Sequence, residues 1–221
     1  MPALNTWIPG WGQLTPAQQT RLSEAARPRA FSAGELIHNG DADCVGLLLV
    51  KSGRLRVFIL SEDGREITLY RLLPGEICLF SASCMMPQIA FAVTVTAEAP
   101  SEVLVLPPDV YKAVMAESAP LANFTNELIA ARFSDVMWLI EQILWKSFDR
   151  RLAAFLLAEA KLEHSATLHL THEAIANHMG TAREVVTRML RYFQNEGLVR
   201  LSRGTVELAD EKRLAQLEAD S

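Results

Sequence analysis

Residues 170–197, LTHEAIANHMGTAREVVTRMLRYFQNEG, carry the pattern of two helices joined by a sharp turn. Thr171 is suited to cap a first short helix, and Gly180 stands where that helix must end, because a side chain would obstruct the bend. Thr181 is predicted to open a second helix, with Glu184 three residues later completing a capping box. Apolar residues recur at helical spacing on the inward sides of both helices, namely Ile175, Ala176, Met179, Val185, Val186, Met189, Leu190 and Phe193. The stretch therefore predicts a helix-turn-helix.

The outward side chains of the second predicted helix are of types that read base edges in a DNA major groove. Arg183, Glu184, Thr187 and Arg188 fall on its first turns. Arginine matches the paired acceptors of guanine, and glutamate accepts a hydrogen bond from the amino group of cytosine. The alternative is an ordinary solvated helix face on which Glu184 serves only as a cap, since such patterns occur in many proteins.

A short hairpin is predicted directly after the second helix. Gly197 ends that helix, and residues 198–201 and 205–208 form two short strands about the turn Ser202-Arg203-Gly204. A hairpin at this place is a wing, whose tip residue Arg203 is suited to contact a phosphate. The extended pattern favours double-stranded DNA as a partner far more strongly than the two helices alone.

Composition and charge limit the classes of protein to which the chain can belong. The chain of 221 residues is half apolar, which fits one large or two modest globular domains. We expect a cytoplasmic protein without a membrane partner, because no apolar run is long enough to cross a bilayer, the N-terminus lacks the pattern of a signal peptide, and the three cysteines do not make a disulfide framework. The net charge is −5, but residues 171–204 hold five Arg against three Glu. This weak basic patch implies that affinity for DNA depends on dimerisation and specific contacts.

The sequence before the predicted helix-turn-helix divides into a β-rich part and a helical part. Residues 15–26 predict a short amphipathic helix capped by Thr15. Short apolar or alternating runs follow, and turn residues such as Ser52-Gly53 and Pro74-Gly75 separate them. The runs are 45–50, 55–60, 67–72, 91–97 and 103–106. Strands at this spacing predict an antiparallel β-roll or barrel.

A long helix is predicted over residues 119–145. Its length and its apolar stripe are typical of a dimer-forming coiled coil, which would make a homodimer. The alternative is a helix packed wholly within its own chain, in which Met137, Trp138 and Trp145 are core residues. The resulting fold class is α+β, with a sensor domain over 1–118, a dimerisation helix and hinge over 119–146, and a winged helix-turn-helix over 147–221.

This order of elements resembles the Crp/Fnr family of bacterial transcription regulators over nearly the whole chain. The phrases that carry the resemblance are Leu170–Gly197 and, in the β-rich part, Gly40-Asp41, Ser52–Val57 and Leu73–Glu76. The resemblance implies a cupin-like jelly roll with a cyclic-nucleotide-binding-like domain, and RNA polymerase as a further partner if the regulator is an activator.

The resemblance also assigns residue roles. Base contacts fall on Arg183, Glu184 and Arg188, with Thr187 where some members carry another contact residue, and the implied half-site is of the TGTGA or TTGAT type. Backbone contacts fall on Thr171, His172 and Thr181, in addition to Arg203 from the wing.

The input domain departs from the family pattern. Members that bind cyclic AMP hold the cyclic phosphate with an Arg, and that position falls at about Phe91 here. No Arg lies between Arg71 and Arg132. Burying a cyclic phosphate without a cation would cost several kcal/mol, so cyclic AMP is not expected as the effector.

Cys44, Cys78 and Cys84 leave several alternatives open for the signal. Cys78 and Cys84 could form a redox-sensitive pair. Cysteines could instead hold an iron–sulfur cluster or haem, with His38 as an additional ligand, although the N-terminal cysteine cluster of the oxygen-sensing members is absent. An apolar pocket around Phe80, Met85, Met86 and Phe91 could hold a hydrophobic effector. All three cysteines could also be buried core residues.

A signal-dependent regulator has two alternatives. One is a constitutive DNA-binding protein with an inert β-roll. The other is a cupin-like metal enzyme, but the His-rich metal motifs of that class are missing, and His172 and His178 stand on different faces of a helix. The sequence therefore predicts a regulator and not an enzyme.

Overall fold

The computed structural model describes residues 4–40, 44–85 and 92–219, apart from the side chains of residues 83–85. The chain divides into two compact units. One contains the residues up to Ile59 together with Leu69–Val136, and the other contains Leu60–Thr68 together with the residues from Met137 onward. The expected boundaries were at 118 and 146. The division of the structure into two units instead falls within the long helix, and a short internal segment groups with the C-terminal part.

The N-terminal unit is built on two antiparallel four-stranded sheets, as the strand spacing predicts. The strands are β1 (Arg27–Phe31), β2 (Leu36–Asn39), β3 (Leu47–Ser52), β4 (Leu55–Leu60), β5 (Glu66–Leu72), β6 (Ile77–Cys78), β7 (Thr94–Ala97) and β8 (Ser101–Leu106). Their order is β1-β8-β3-β6 in one sheet and β2-β7-β4-β5 in the other. Alternating side chains of both sheets form one core, which includes Leu48, Val57, Val95 and Val103. The expected β-roll is confirmed.

Helices cover the outer face of the first sheet. The first, α1 (Pro16–Ala25), begins with a capping box in which the Thr15 hydroxyl accepts from the Gln18 amide and the Gln18 side chain accepts from the Thr15 amide. The next, α2 (Pro108–Glu117), buries Tyr111, whose hydroxyl lies 2.9 Å from Thr125 Oγ1. These helices and β3 share an apolar cluster with Leu22, Leu47 and Leu121.

The long helix α3 (Ala119–Trp145) has 27 residues, in agreement with the sequence-based expectation. Leu121 is buried at its start, whereas Phe133, Met137, Ile140 and Leu144 are exposed by 65, 46, 41 and 66%. These four apolar residues follow the 4-3-4 spacing of a coiled-coil seam and therefore share one helix face. We call them the α3 seam. Met137, Trp138 and Trp145 are exposed by 46, 60 and 79%, so the alternative that places them in the core of this chain is wrong.

In its described residues, the C-terminal unit contains the last turns of α3, four further helices and a three-stranded sheet. The helices are α4 (Phe148–Glu163), α5 (His172–Met179), α6 (Arg183–Asn195) and α7 (Glu211–Ala219). The strands are β9 (Thr167–Leu168), β10 (Val199–Ser202) and β11 (Thr205–Leu208), in the order β10-β11-β9. Their core includes Leu152, Ile175, Val186, Phe193 and Val206. The winged helix-turn-helix is confirmed, and no helix among the described residues is long and apolar enough to span a membrane.

Candidate nucleic-acid interface

The turn between α5 and α6 follows directly from its sequence. The Thr171 hydroxyl accepts a hydrogen bond from the Ala174 amide at 3.1 Å and caps α5, as expected. Gly180 ends this helix with φ of 67°, a left-handed backbone that a side chain would strain. The Thr181 amide then donates to the Ala176 carbonyl oxygen at 3.1 Å and closes the turn.

The predicted capping box of Thr181 and Glu184 is wrong. Helix α6 begins at Arg183, its N-cap residue is Ala182, and no side chain caps it. The reason is that Thr181 is part of the closing turn of α5, so the chain needs one more residue before the second helix can start. Glu184 is exposed on the first turn of α6.

The candidate base-reading residues occupy one side of α6 and its core residues occupy the other. Val186, Leu190 and Phe193 are fully buried. Arg183, Glu184 and Arg188 are exposed, whereas Thr187 is half-buried. The helix therefore presents three charged side chains to solvent on its N-terminal turns, where a helix lying in a major groove makes its base contacts.

Thr187 and His172 form a hydrogen-bonded pair that joins α5 to α6. The Thr187 hydroxyl donates to the Arg183 carbonyl oxygen at 2.9 Å and lies 2.9 Å from His172 Nδ1. Because a hydroxyl has one proton, His172 Nδ1 is the donor of the second bond. Burial lowers the pKa of His172, and the charges of Arg183 and Arg191 lower it further. The neutral imidazole therefore orients Thr187 at neutral pH.

The lowered pKa of His172 predicts that acid destabilises the folded chain. As pH falls through the ordinary histidine value of 6.5, the unfolded chain takes up a proton that the folded chain does not. The contribution of His172 to stability is therefore present above pH 6.5 and is lost below it. Urea unfolding from pH 8 to pH 5 should show a steeper fall for the wild type than for His172→Gln. Parallel curves would contradict the expectation.

The wing presents a cation at its tip. Strands β10 and β11 pair from Val199 with Leu208 to Ser202 with Thr205. Arg203 lies exposed in the turn between them. Arg200 instead pairs with Glu207 across the hairpin at 2.8 Å, so its charge is partly neutralised within the wing.

The segment Leu60–Thr68 packs against the end of α5, a contact that the sequence does not predict. Ile67 forms an isolated antiparallel β-bridge with Met179, and Thr68 Oγ1 lies 2.8 Å from His178 Nδ1. A Cβ atom placed on Gly180 would lie 2.9 Å from Ile67 Cδ1. More than 100 residues separate the two partners, and no local pattern marks such a contact.

Substitution of Gly180 is therefore expected to destabilise the folded chain for two reasons. Alanine there would strain a left-handed backbone and collide with Ile67, and we expect Gly180→Ala to lower the free energy of unfolding by about 1–3 kcal/mol. Urea denaturation of the wild type, Gly180→Ala, Ile67→Ala and the double variant measures both effects. The Ile67→Ala background should relieve most of the collision, because it removes Cγ1 and Cδ1 and leaves only the Cβ atom of residue 67 at 3.1 Å. Full additivity of the two single effects would contradict a contact between these residues.

Cys78 and Cys44 differ in burial and in bonding. Cys78 is a free thiol with no solvent exposure on β6, and burial raises its pKa. Its position in the strand points the side chain into the core of the roll, beside Leu48 and Phe80. Cys44 is exposed and disulfide-bonded, so a disulfide of this chain involves Cys44 and not Cys78. The side chains of Cys84 and Met85, and all of Met86 and Phe91, lie outside the described residues.

Arg132 of α3 is the cation that follows the Arg-free stretch, and acidic residues already engage it. Its guanidinium contacts Glu76 Oε1 at 3.1 Å and Asp135 Oδ2 at 2.9 Å, and it stacks 4.6 Å from the centre of the Tyr70 ring. Two carboxylates outweigh its single charge. A cyclic phosphate therefore finds no free guanidinium among the described residues of the roll interior.

The proposed histidine ligand of a metal site also lies in the core. His38 on β2 is 2% exposed. Among the described residues, no group of three His, Cys, Asp or Glu side chains is arranged to hold a metal ion.

Two family profiles match the chain in sequence. The profile of the cyclic nucleotide-binding domain covers residues 28–118, and that of the Crp-like helix-turn-helix domain covers residues 150–217. The two matches correspond to the roll with α2 and to the C-terminal unit from α4 to α7.

The chain is also similar to individual proteins over most of its length. The chain is 30% identical to the cyclic AMP receptor protein of Thermus thermophilus, over 90% of this chain and 88% of that protein. It is 27% identical to the transcriptional regulatory protein btr of Bordetella pertussis, over 89% and 84% of the two chains. A crystal structure of a transcriptional regulator of the Crp/Fnr family from Eubacterium rectale superposes with a TM-score of 0.95 at 55% identity, covering 97% of this chain and 99% of that one.

Proposed function

Because the chain belongs to the Crp/Fnr family of transcription regulators, we propose that it binds palindromic DNA as a homodimer and regulates transcription in the cytoplasm. The observation that carries this proposal is the exposed charged side of α6, which holds Arg183, Glu184 and Arg188 on its first two turns. The protein acts as a regulator and not as an enzyme.

The side chains divide into base-reading and backbone-positioning groups. Arg183, Glu184 and Arg188 contact base edges of a TGTGA- or TTGAT-like half-site, and Thr187, held by His172, stands among them. Thr171, Thr181 and Arg203 contact phosphates. The neutral His172 offers only an acceptor at Nε2, so its own contact with a phosphate requires protonation on binding.

The homodimer is proposed to form through the α3 seam. Phe133 to Leu144 spans about 16 Å of helix at 1.5 Å per residue, and its four members expose apolar area that a second copy would cover. The two copies of α6, the recognition helices of the dimer, would then enter adjacent major grooves about one turn of DNA apart.

The signal at the roll is proposed to be something other than cyclic AMP. Support comes from the lack of any Arg between Arg71 and Arg132 and from the engagement of Arg132 by Glu76 and Asp135. RNA polymerase is the further partner if the bound regulator activates.

Fluorescence anisotropy tests the proposed function. The purified chain is titrated into labelled duplexes that carry a TGTGA palindrome, a TTGAT palindrome or a scrambled site, with and without cyclic AMP. We expect tighter binding to one palindrome than to the scrambled site, with no effect of cyclic AMP. Equal affinity for all three duplexes would overturn specific recognition, and a cyclic AMP effect would overturn the proposed signal class.

A further inference from the structure

A cavity of about 300 Å³ lies within the C-terminal unit, apart from the candidate DNA-reading side of α6. The last turns of α3, the helix α4 and the end of α5 surround it, and Ile67 of the Leu60–Thr68 segment contributes to its wall. The volume is at the lower end of the range for small-molecule sites.

The walls of the cavity are mainly apolar. Trp138 and Leu139 come from α3, Phe155 from α4 and Met179 from α5. Phe155 also stacks against the ring of His178, with 5.5 Å between the ring centres. Thr68 Oγ1 lies within hydrogen-bond distance of His178 Nδ1, so that nitrogen already has a partner. Apolar walls of this kind fit an aliphatic or aromatic body.

One cation in the wall has no counter-ion among the described residues. Arg151 lines the cavity, and its Nε is buried without a hydrogen-bond partner. Burial lowers the pKa of Arg151, which reflects the cost of keeping this charge away from water. No ion pair to Arg151 occurs in the part of the chain that the structure describes, although Glu218 also lines the cavity. A guanidinium in such surroundings is stabilised when a carboxylate pairs with it.

We propose that this cavity binds a small monocarboxylate with an apolar body, whose carboxylate pairs with Arg151. The ligand would contact Met179, the last residue of α5, and Ile67, which packs on Gly180. The cavity lies on the opposite side of α3 from the seam, because Gln142 in its wall follows Ile140 by two residues, or about 200° of helix rotation. Dimerisation through the seam and occupation of the cavity are therefore compatible.

Isothermal titration calorimetry on the full chain tests the proposal, with 4-phenylbutanoate as the probe and 4-phenylbutanamide as its neutral counterpart. We expect saturable binding of the carboxylate and binding of the amide at least about tenfold weaker, because the amide cannot form the ion pair. Arg151→Gln should weaken carboxylate binding by a similar factor. The matched control Arg150→Gln removes a neighbouring charge that is not in the wall and should leave the affinity unchanged.

Ala154→Leu supplies a second variant that keeps Arg151 and reduces the free volume of the cavity. It should abolish binding of the probe while the thermal unfolding curve stays cooperative. Absence of saturable binding to the wild type, or equal affinities for the carboxylate and the amide, would overturn the proposal. So would unchanged binding by a folded Ala154→Leu chain. The assay contains no DNA, so its failure is distinguishable from a failure of the proposed DNA-binding function.

Discussion

Replacement of Arg188 by alanine is expected to weaken the protein's discrimination between its palindrome and other sequences. Arg188 is exposed on α6 and has no ion pair within the described part of the chain, so its guanidinium is available for the paired acceptors of a guanine. We expect a weakening of about 1–3 kcal/mol per half-site, which is about 5- to 150-fold in affinity. Anisotropy titrations on the preferred palindrome and on a scrambled duplex measure this change and show whether it is specific.

Arg203→Ala is the matched control, because it removes the same type of side chain from the wing. A phosphate contact carries no sequence information, so this variant should weaken binding to both duplexes alike. It should also reduce the slope of log affinity against log salt by about one for each phosphate that is no longer neutralised. If Arg188→Ala lowers the affinity for both duplexes equally, as Arg203→Ala is expected to do, Arg188 does not read a base.

The second large effect is expected at the α3 seam. Leu144→Glu places a charge in the proposed dimer contact, where two copies would bring two carboxylates together. We expect a monomer in analytical ultracentrifugation. Affinity for the palindrome should fall by about 10²- to 10⁴-fold, because the second half-site no longer binds as part of the same molecule.

Trp145→Glu is the control for this experiment. Trp145 is exposed by 79% and lies one residue further along α3, about 100° around the helix from Leu144 and away from the seam. This variant should remain a dimer and retain its affinity. A dimeric Leu144→Glu protein would show that the seam is not the interface, and dissociation of the dimer in both variants would show that the interface is not confined to it.

Local patterns predicted most of the fold. The short apolar or alternating runs predicted the roll. Successive side chains of a strand point to opposite faces of the sheet, so each strand carries this pattern within its own sequence. The spacing of buried residues on α6 and the glycine at position 180 predicted the turn and both helices. The start of α6 was misplaced by one residue, since Thr171 and Thr181 look alike as caps and only the backbone shows that Thr181 closes the preceding turn.

Contacts between distant residues could not be predicted. Thr187 was identified as a base-reading candidate from its position, but its bond to His172 depends on how α5 and α6 cross. The contact of Ile67 with Gly180 and the unpaired Nε of Arg151 depend on elements that are far apart in sequence. Three cysteines in one chain likewise leave open which of them is buried, and the structure alone identifies Cys78 as an enclosed thiol.

The grouping of Leu60–Thr68 with the C-terminal unit limits how the protein can be cut into working parts. A fragment that begins at residue 147 would keep the recognition helix and the wing, but it would lack Ile67 and Trp138. More apolar surface on α4 and α5 would then face water in the fragment than in the whole chain. Exchange of the DNA-binding part between relatives would therefore succeed only when the segment from the roll is exchanged along with it.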